Sequence, residues 1–187
     1  MSETGNTQQM KRILEAALLT SAEPLSLDDM LKLFESRMER ATLRMLLDEL
    51  KNEWQPNTEK ATLELVQVAS GWRFQARAEY APILARLSPE RPQRYSRAAM
   101  ETLAIIVYRQ PVTRGDIEQI RGVAVNPNIM RSLLERQWID VVGQRDVPGR
   151  PSLYATTKTF LDDLNLRSLA DLPAIDTFIK QEIQLEL

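Results

Sequence analysis

The 187-residue chain contains no cysteine and no histidine. Disulfides, Cys/His zinc sites, thiol nucleophiles and Ser-His-Asp triads are therefore excluded. Glycine is scarce, six residues in all, and scattered. No G-x-G-x-x-G occurs. Gly143 and Gly149 flank five residues and are followed by Arg150-Pro151 instead of Lys-Ser/Thr, so the phosphate-loop pattern fails in spacing and type. Neither sign of charge dominates: 24 basic residues stand against 26 acidic, a net charge of -2. That balance disfavours a strongly cationic nucleic-acid coat, though not a local basic patch. Long apolar runs are also missing. The longest strongly apolar stretch without a charge, 102–108, is far short of the ~20 residues a transmembrane helix needs. Glu3 precedes any apolar stretch and Glu15 interrupts 13–19, so no secretory signal is read. A cytoplasmic location is the expectation.

Adjacent aspartates occur only as Asp28-Asp29 and Asp162-Asp163. They fall in or near the first turns of expected helices, where negative charge suits the helix dipole. No second acidic cluster stands at a metal-binding interval. The chain is expected to carry no catalytic residue, no metal and no cofactor.

What is present is a duplication. Glu23-Pro24-Leu25-Ser26 resembles Gln110-Pro111-Val112-Thr113, eighty-seven positions on. Without a gap, Asp29 then meets Asp116, Met30 meets Ile117, Leu33 meets Ile120, Arg44 meets Arg131, and Leu46-Leu47-Asp48 meets Leu133-Leu134-Glu135. Upstream, Ala17-Leu18-Leu19 meets Ala104-Ile105-Ile106. A repeat this long is a domain duplication and not a solenoid.

Each copy predicts the same element order. In the first, 8–20 spaces Met10, Ile13, Leu14, Ala17 and Leu18 as one helical face. Ser26 with Asp29 caps a second helix. A third runs over 40–52 with Leu43, Leu46, Leu47 and Leu50 inward, and strands follow at 62–69 and 72–77 about a Ser70-Gly71 turn. In the second copy the helices begin at 96, at Thr113 with Asp116, and at Asn126-Pro127, with Gly122 suited to a left-handed helix end. Strands at 139–142 and 153–156 enclose a long loop containing Pro148-Gly149-Arg150-Pro151, and Thr157 caps a closing helix over 158–165. Helix, helix-turn-helix and hairpin make a winged helix. The fold class is thus α+β, two tandem winged-helix domains, at 8–88 and 95–172. They are joined by a proline-bearing linker at 89–94 and followed by an acidic tail, 173–187, either a loose helix or disordered.

Winged helices often read DNA through the third helix and the wing. Here the outward positions are Ala41, Arg44, Met45 and Asp48 in one copy and Asn128, Arg131, Ser132 and Glu135 in the other. Each face pairs one arginine with one acid, where a reading helix needs several donors aimed at one groove. Residues 91–168 hold twelve bases and eight acids, a net +4, which allows weak backbone binding without sequence reading. Met45 fits a protein contact if exposed and the core if the helix phase differs by one. A DNA-binding transcription regulator is the alternative to a protein-binding scaffold.

The stretch 95–118, from Tyr95-Ser96-Arg97 through Gln110-Pro111-Val112-Thr113-Arg114-Gly115-Asp116, resembles segregation and condensation protein B of bacteria. So do Ile120-Arg121-Gly122-Val123, Leu133-Leu134-Glu135-Arg136, Pro148-Gly149-Arg150-Pro151 with Leu153-Tyr154, and the 166–173 segment. The first copy is similar through Ile13-Leu14-Glu15-Ala16 and Glu23-Pro24-Leu25-Ser26, so the resemblance spans 11–173. Asn165 departs from the family's usual glycine, and Asn126-Pro127-Asn128 replaces a glycine-containing segment. The resemblance implies a non-enzymatic homodimer. It would bind the kleisin subunit, segregation and condensation protein A, which bridges the SMC ATPase, in chromosome condensation and segregation. Contact with DNA would be weak or indirect, and contact with membrane absent.

Within that frame, Tyr108, Arg121, Arg150 and Tyr154 are the candidate kleisin-binding residues of the second copy. Met45, Leu65, Val66 and Val68 are the candidate dimerisation residues of the first, because Leu65-Val66 puts apolar groups on both faces of one strand.

Overall fold

The computed structural model describes residues 3–35, 38–56, 62–87 and 95–174. The expected linker at 89–94 and the tail beyond 174 lie outside the described residues. The chain divides into two compact units, Met1–Arg91 and Pro92–Leu187.

The first unit opens with α1 (Glu3–Thr20), longer at its start than the 8–20 periodicity predicts. Lys11, Leu14 and Leu18 form its buried stripe, and Ile13 faces solvent. Burying Lys11 requires partners, and α3 (Arg40–Glu53) supplies them: its ammonium lies 3.3 Å from Glu49 and 2.5 Å from Glu53. Both carboxylates raise the lysine pKa, the Glu53 hydrogen bond most. Between these helices, α2 (Leu27–Lys32) starts at Ser26, whose Oγ accepts the Asp29 N–H at 3.1 Å. In α3 the leucines 43, 46, 47 and 50 are all fully buried, the one-sided stripe that a 3.6-residue period requires.

β1 (Leu63–Gln67) and β2 (Trp72–Ala76) then pair antiparallel, Gln67 opposite Trp72. Val68 and Gly71 exchange both backbone hydrogen bonds, so the two-residue turn is Ala69-Ser70, one position before the expected Ser70-Gly71. Gly71 serves another purpose. Leu25 exchanges backbone bonds with Trp72 at 2.9 Å, adding a third short strand position beside β2. A Cβ on Gly71 would lie 2.2 Å from the Leu25 carbonyl oxygen. After β2 comes a segment the periodicity does not predict, α4 (Ala81–Leu84) flanked by 3-10 turns at Ala78–Tyr80 and Ala85–Leu87.

The hairpin corrects the dimerisation residues. Leu65 is 1% exposed and Val68 2%, so both are spent inside the protomer. Leu63 and Leu65 alternate inward with Glu64 and Val66 outward. Opposite the outward pair stand Gln75 and Arg73, which leaves one half-buried valine on a polar face. Alternation holds over 63–66 and breaks at the strand end, where Gln67 is exposed and Val68 turns into the core, so the outward face presents no free apolar patch.

The second unit repeats the plan. α5 (Arg97–Arg109) is capped by Ser96, and β3 (Val112–Thr113) leads into α6 (Arg114–Arg121). Thr113 and Asp116 close a reciprocal capping box, and Gly122 ends the helix at φ 70°. α7 (Pro127–Glu135) begins with the Asn126 side chain accepting the Asn128 N–H at 2.9 Å and proline at its first position. β4 (Ile139–Gln144) and β5 (Ser152–Thr156) form the wing, and α8 (Lys158–Asp163) closes the unit. The sheet order is β3-β5-β4, so the expected two-stranded wing gains a third strand at the start of α6. Asn165 sits at φ 56°, which explains why glycine suits that position. Around Trp138, Tyr95 lies at 5.0 Å and Phe160 at 6.1 Å, and the indole N–H donates to Asp163 at 2.8 Å.

Both units are therefore winged helices. The offset of eighty-seven joins buried pairs Met30/Ile117, Met38/Val125, Leu43/Met130 and Leu46/Leu133. In the first helix it fails by one: Leu19 is exposed, and Leu18, not Leu19, matches buried Ile106. Leu14 likewise matches Thr102 and Lys11 matches Ala99. The segment between the first helix and its following cap is one residue longer in the first unit, and burial sets the register.

Candidate partner-binding surfaces

On the third helices, the periodic phase holds. Ala41, Arg44, Met45 and Asp48 are exposed on α3, as are Asn128, Arg131 and Glu135 on α7, with Ser132 half-buried. Met45 is a surface residue, 50% exposed. Among these positions each helix presents one guanidinium and one carboxylate, and α3 adds exposed Arg40 and Glu49. The first unit also exposes apolar groups that sequence periodicity missed: Ile83, Leu84 and Leu87, the last 81% exposed. Ile83 and Leu84, with Tyr80, Leu63, Ala76 and Thr62, line an open apolar groove of about 250 Å³ beside the hairpin. The segment is a four-residue helix between two 3-10 turns, too short for a helical apolar period to show in the sequence.

In the second unit, the four candidate contact residues do not converge. Tyr108 is half-buried near the end of α5, and its hydroxyl donates to the Pro173 carbonyl at 2.8 Å. Arg121 reaches back to Glu101 at 3.2 Å, its side chain 11% exposed. Glu101 and Tyr108 are seven residues apart on α5, roughly 10 Å along the axis, so the arginine and the tyrosine mark opposite ends of that helix. Tyr154 sits in the centre of the sheet between Val112 and Val141 and packs on the core. Of the four, Arg150 alone is exposed, at the wing tip, with no side-chain partner among the described residues.

The wing is tied down elsewhere. The Arg145 guanidinium grips both oxygens of Asp116, at 2.8 and 2.6 Å, and the same Asp116 carboxylate accepts the Thr113 N–H at 2.8 Å. The arginine and the capping hydrogen bonds hold the Asp116 pKa down to about 2. A lowered carboxylate pKa stabilises the fold above the ordinary value of 3.8, and that contribution is lost as pH falls through about 2. This pair joins residues twenty-nine apart, a tertiary contact that no periodicity announces. Among the described residues no group of three or more acidic side chains could hold a metal ion, and no helix is long and apolar enough to cross a membrane.

The two units together define a tandem winged-helix protein. The family model for Segregation and condensation complex subunit ScpB matches residues 12–175. A Segregation and condensation protein B homolog of Coxiella burnetii is 49% identical over 174 residues, 92% of this chain and 81% of that protein. Segregation and condensation protein B of Syntrophotalea carbinolica is 40% identical over 92% of this chain and 85% of its own length. The crystal structure of ScpB from Mycobacterium tuberculosis is 34% identical, covering 86% of this chain and 97% of that one, with a TM-score of 0.39. The chain belongs to the ScpB family, as a non-enzymatic scaffold subunit of the condensin complex.

Proposed function

We propose that this chain is a homodimer that clasps the kleisin, segregation and condensation protein A, and through it joins the SMC ATPase on the nucleoid. The family match over residues 12–175 carries this reading. A scaffold subunit acts by contact, and both units present exposed side chains suited to it. In this proposal the second unit supplies most of the kleisin contact, and the first unit dimerises. Co-purification from the native host tests it: kleisin and SMC proteins should be recovered with the tagged chain, and recovery of neither would refute it.

With Leu65 and Val68 internal, the dimer surface is assigned to Met45 and to the Ile83, Leu84 and Leu87 side chains, whose burial would gain about 25 cal/mol per Å². A symmetric pair is the commonest way to cover such a patch. Substituting Ile83→Glu and Leu87→Glu together should convert the full chain from dimer to monomer in light scattering. A dimer that survives both would remove this surface from the interface.

The regulator reading is disfavoured by the acid on each third-helix face. Binding of labelled duplexes near physiological salt should be indifferent to sequence and fall in the non-specific range, about 10⁻⁴–10⁻⁶ M.

A further inference from the structure

We propose that Arg145 is a positioning residue for partner recognition: its grip on Asp116 locks the second unit's wing to the start of α6 and so holds Arg150 out, at the wing tip, toward a carboxylate of the partner. The inference rests on the reading that this wing meets the kleisin.

Three observations carry it. First, one carboxylate does two jobs. Asp116 closes the α6 cap through Thr113 and takes the Arg145 fork on both oxygens. The two-point geometry fixes direction as well as distance. The wing root is therefore fastened to the helix-turn-helix and does not depend on strand pairing alone.

Second, the tip beyond Arg145 is a closed backbone turn. The Arg145 N–H donates to the Pro151 carbonyl at 2.9 Å, Val147 N–H to Arg145 at 3.0 Å, and Arg150 N–H to Val147 at 2.9 Å. Fixing Arg145 thus fixes Arg150.

Third, the tip holds Arg150 in a conformation its side chain opposes. Gly149 has φ 87° and Arg150 φ 39°, two left-handed residues in succession. Any residue with a Cβ disfavours that region, and glycine would be the unstrained choice at 150. Strain of this kind persists where a side chain has a task and its surroundings enforce the backbone. The Arg150 guanidinium is exposed, with Val147 also exposed beside it, and it has no partner among the described residues. That chemistry suits an acidic residue flanked by apolar ones. Among the described residues the first unit shows no such lock. There Asp29, in the position of Asp116, pairs with Lys32 of its own helix at 2.7 Å, and the hairpin turn is two residues long.

The test uses the full chain, purified kleisin, calorimetric titration, and amide exchange of the free protein read residue by residue. Arg150→Gly should weaken kleisin binding about tenfold or more with an unchanged or higher urea midpoint. Arg145→Met should accelerate exchange at the Val147 and Arg150 amides about tenfold, leave the α7 core amides protected, and weaken binding by a similar factor. Arg145→Lys keeps the charge but cannot grip both oxygens, so it should fall between wild type and Arg145→Met. It also replaces Arg145→Met if that variant loses its core protection. Wild-type binding by Arg150→Gly would overturn the assignment of the wing as a contact, whatever the lock does. Unchanged wing exchange in the Arg145 variants would overturn the lock. Faster wing exchange with wild-type binding would overturn positioning while leaving the lock in place.

Discussion

Truncating Trp138 to alanine is expected to destabilise the second unit by about 3–5 kcal/mol, the usual cost of emptying a large buried aromatic site. Trp138 is buried between Tyr95 and Phe160, and the Arg136 guanidinium lies over its ring at 5.3 Å. Its N–H also donates to Asp163 Oδ2, the same oxygen that the Arg136 guanidinium pairs with at 3.0 Å. Trp138→Phe separates the two contributions. It keeps much of the aromatic packing but removes the donor, and should cost about 1–3 kcal/mol. Native-state amide exchange in α7 and β4 reports this unit separately from the first. Equal losses in both variants would mean that the hydrogen bond dominates and the packing contributes little.

Gly71→Ala should cost the first unit about 2–5 kcal/mol, combining backbone strain with a steric clash. The methyl group would meet the Leu25 carbonyl oxygen at 2.2 Å and the Ser26 nitrogen at 2.8 Å, both backbone atoms that no rotamer change can move. To relieve the contact, Leu25 must leave Trp72, and the Ser26 cap of α2 shifts with it. Gly122→Ala is the control. Its φ of 70° is also left-handed, yet a Cβ there meets nothing within 4 Å. Only the conformational cost remains, about 1–2 kcal/mol. Chemical denaturation of the two variants should show the larger loss at Gly71, and equal losses would place the strain in φ alone.

The elements that could be read from sequence are those whose cause is local. Four leucines at helical spacing predict the inner face of α3, and each cap at Ser26, Thr113, Asn126 and Thr157 falls at the residue whose side chain accepts the first free N–H groups. Features set by distant contact were not legible. The Leu25 bridge to Trp72 decides why Gly71 is glycine, and nothing in 70–71 distinguishes that role from a turn. Leu65-Val66 reads as two apolar faces until the pairing register shows Val66 beside Arg73. One extra residue after α1 shifts its repeat register without breaking the apolar pattern that suggested it. Among the candidate contact residues, Tyr108 and Arg121 have the right chemistry for an interface but already hold partners within the unit. Arg145 reads in sequence only as a basic wing residue, because the Asp116 it grips is twenty-nine positions away.

The most direct test is a calorimetric titration of the purified full chain with the purified kleisin, run beside the same chain titrated with duplex DNA at the same salt. Saturable kleisin binding near 10⁻⁶ M or tighter, with DNA binding far weaker and indifferent to sequence, is the result expected of a scaffold subunit. No kleisin binding, together with sequence-dependent DNA binding at about 10⁻⁸ M or tighter, would contradict the account and favour a transcription regulator.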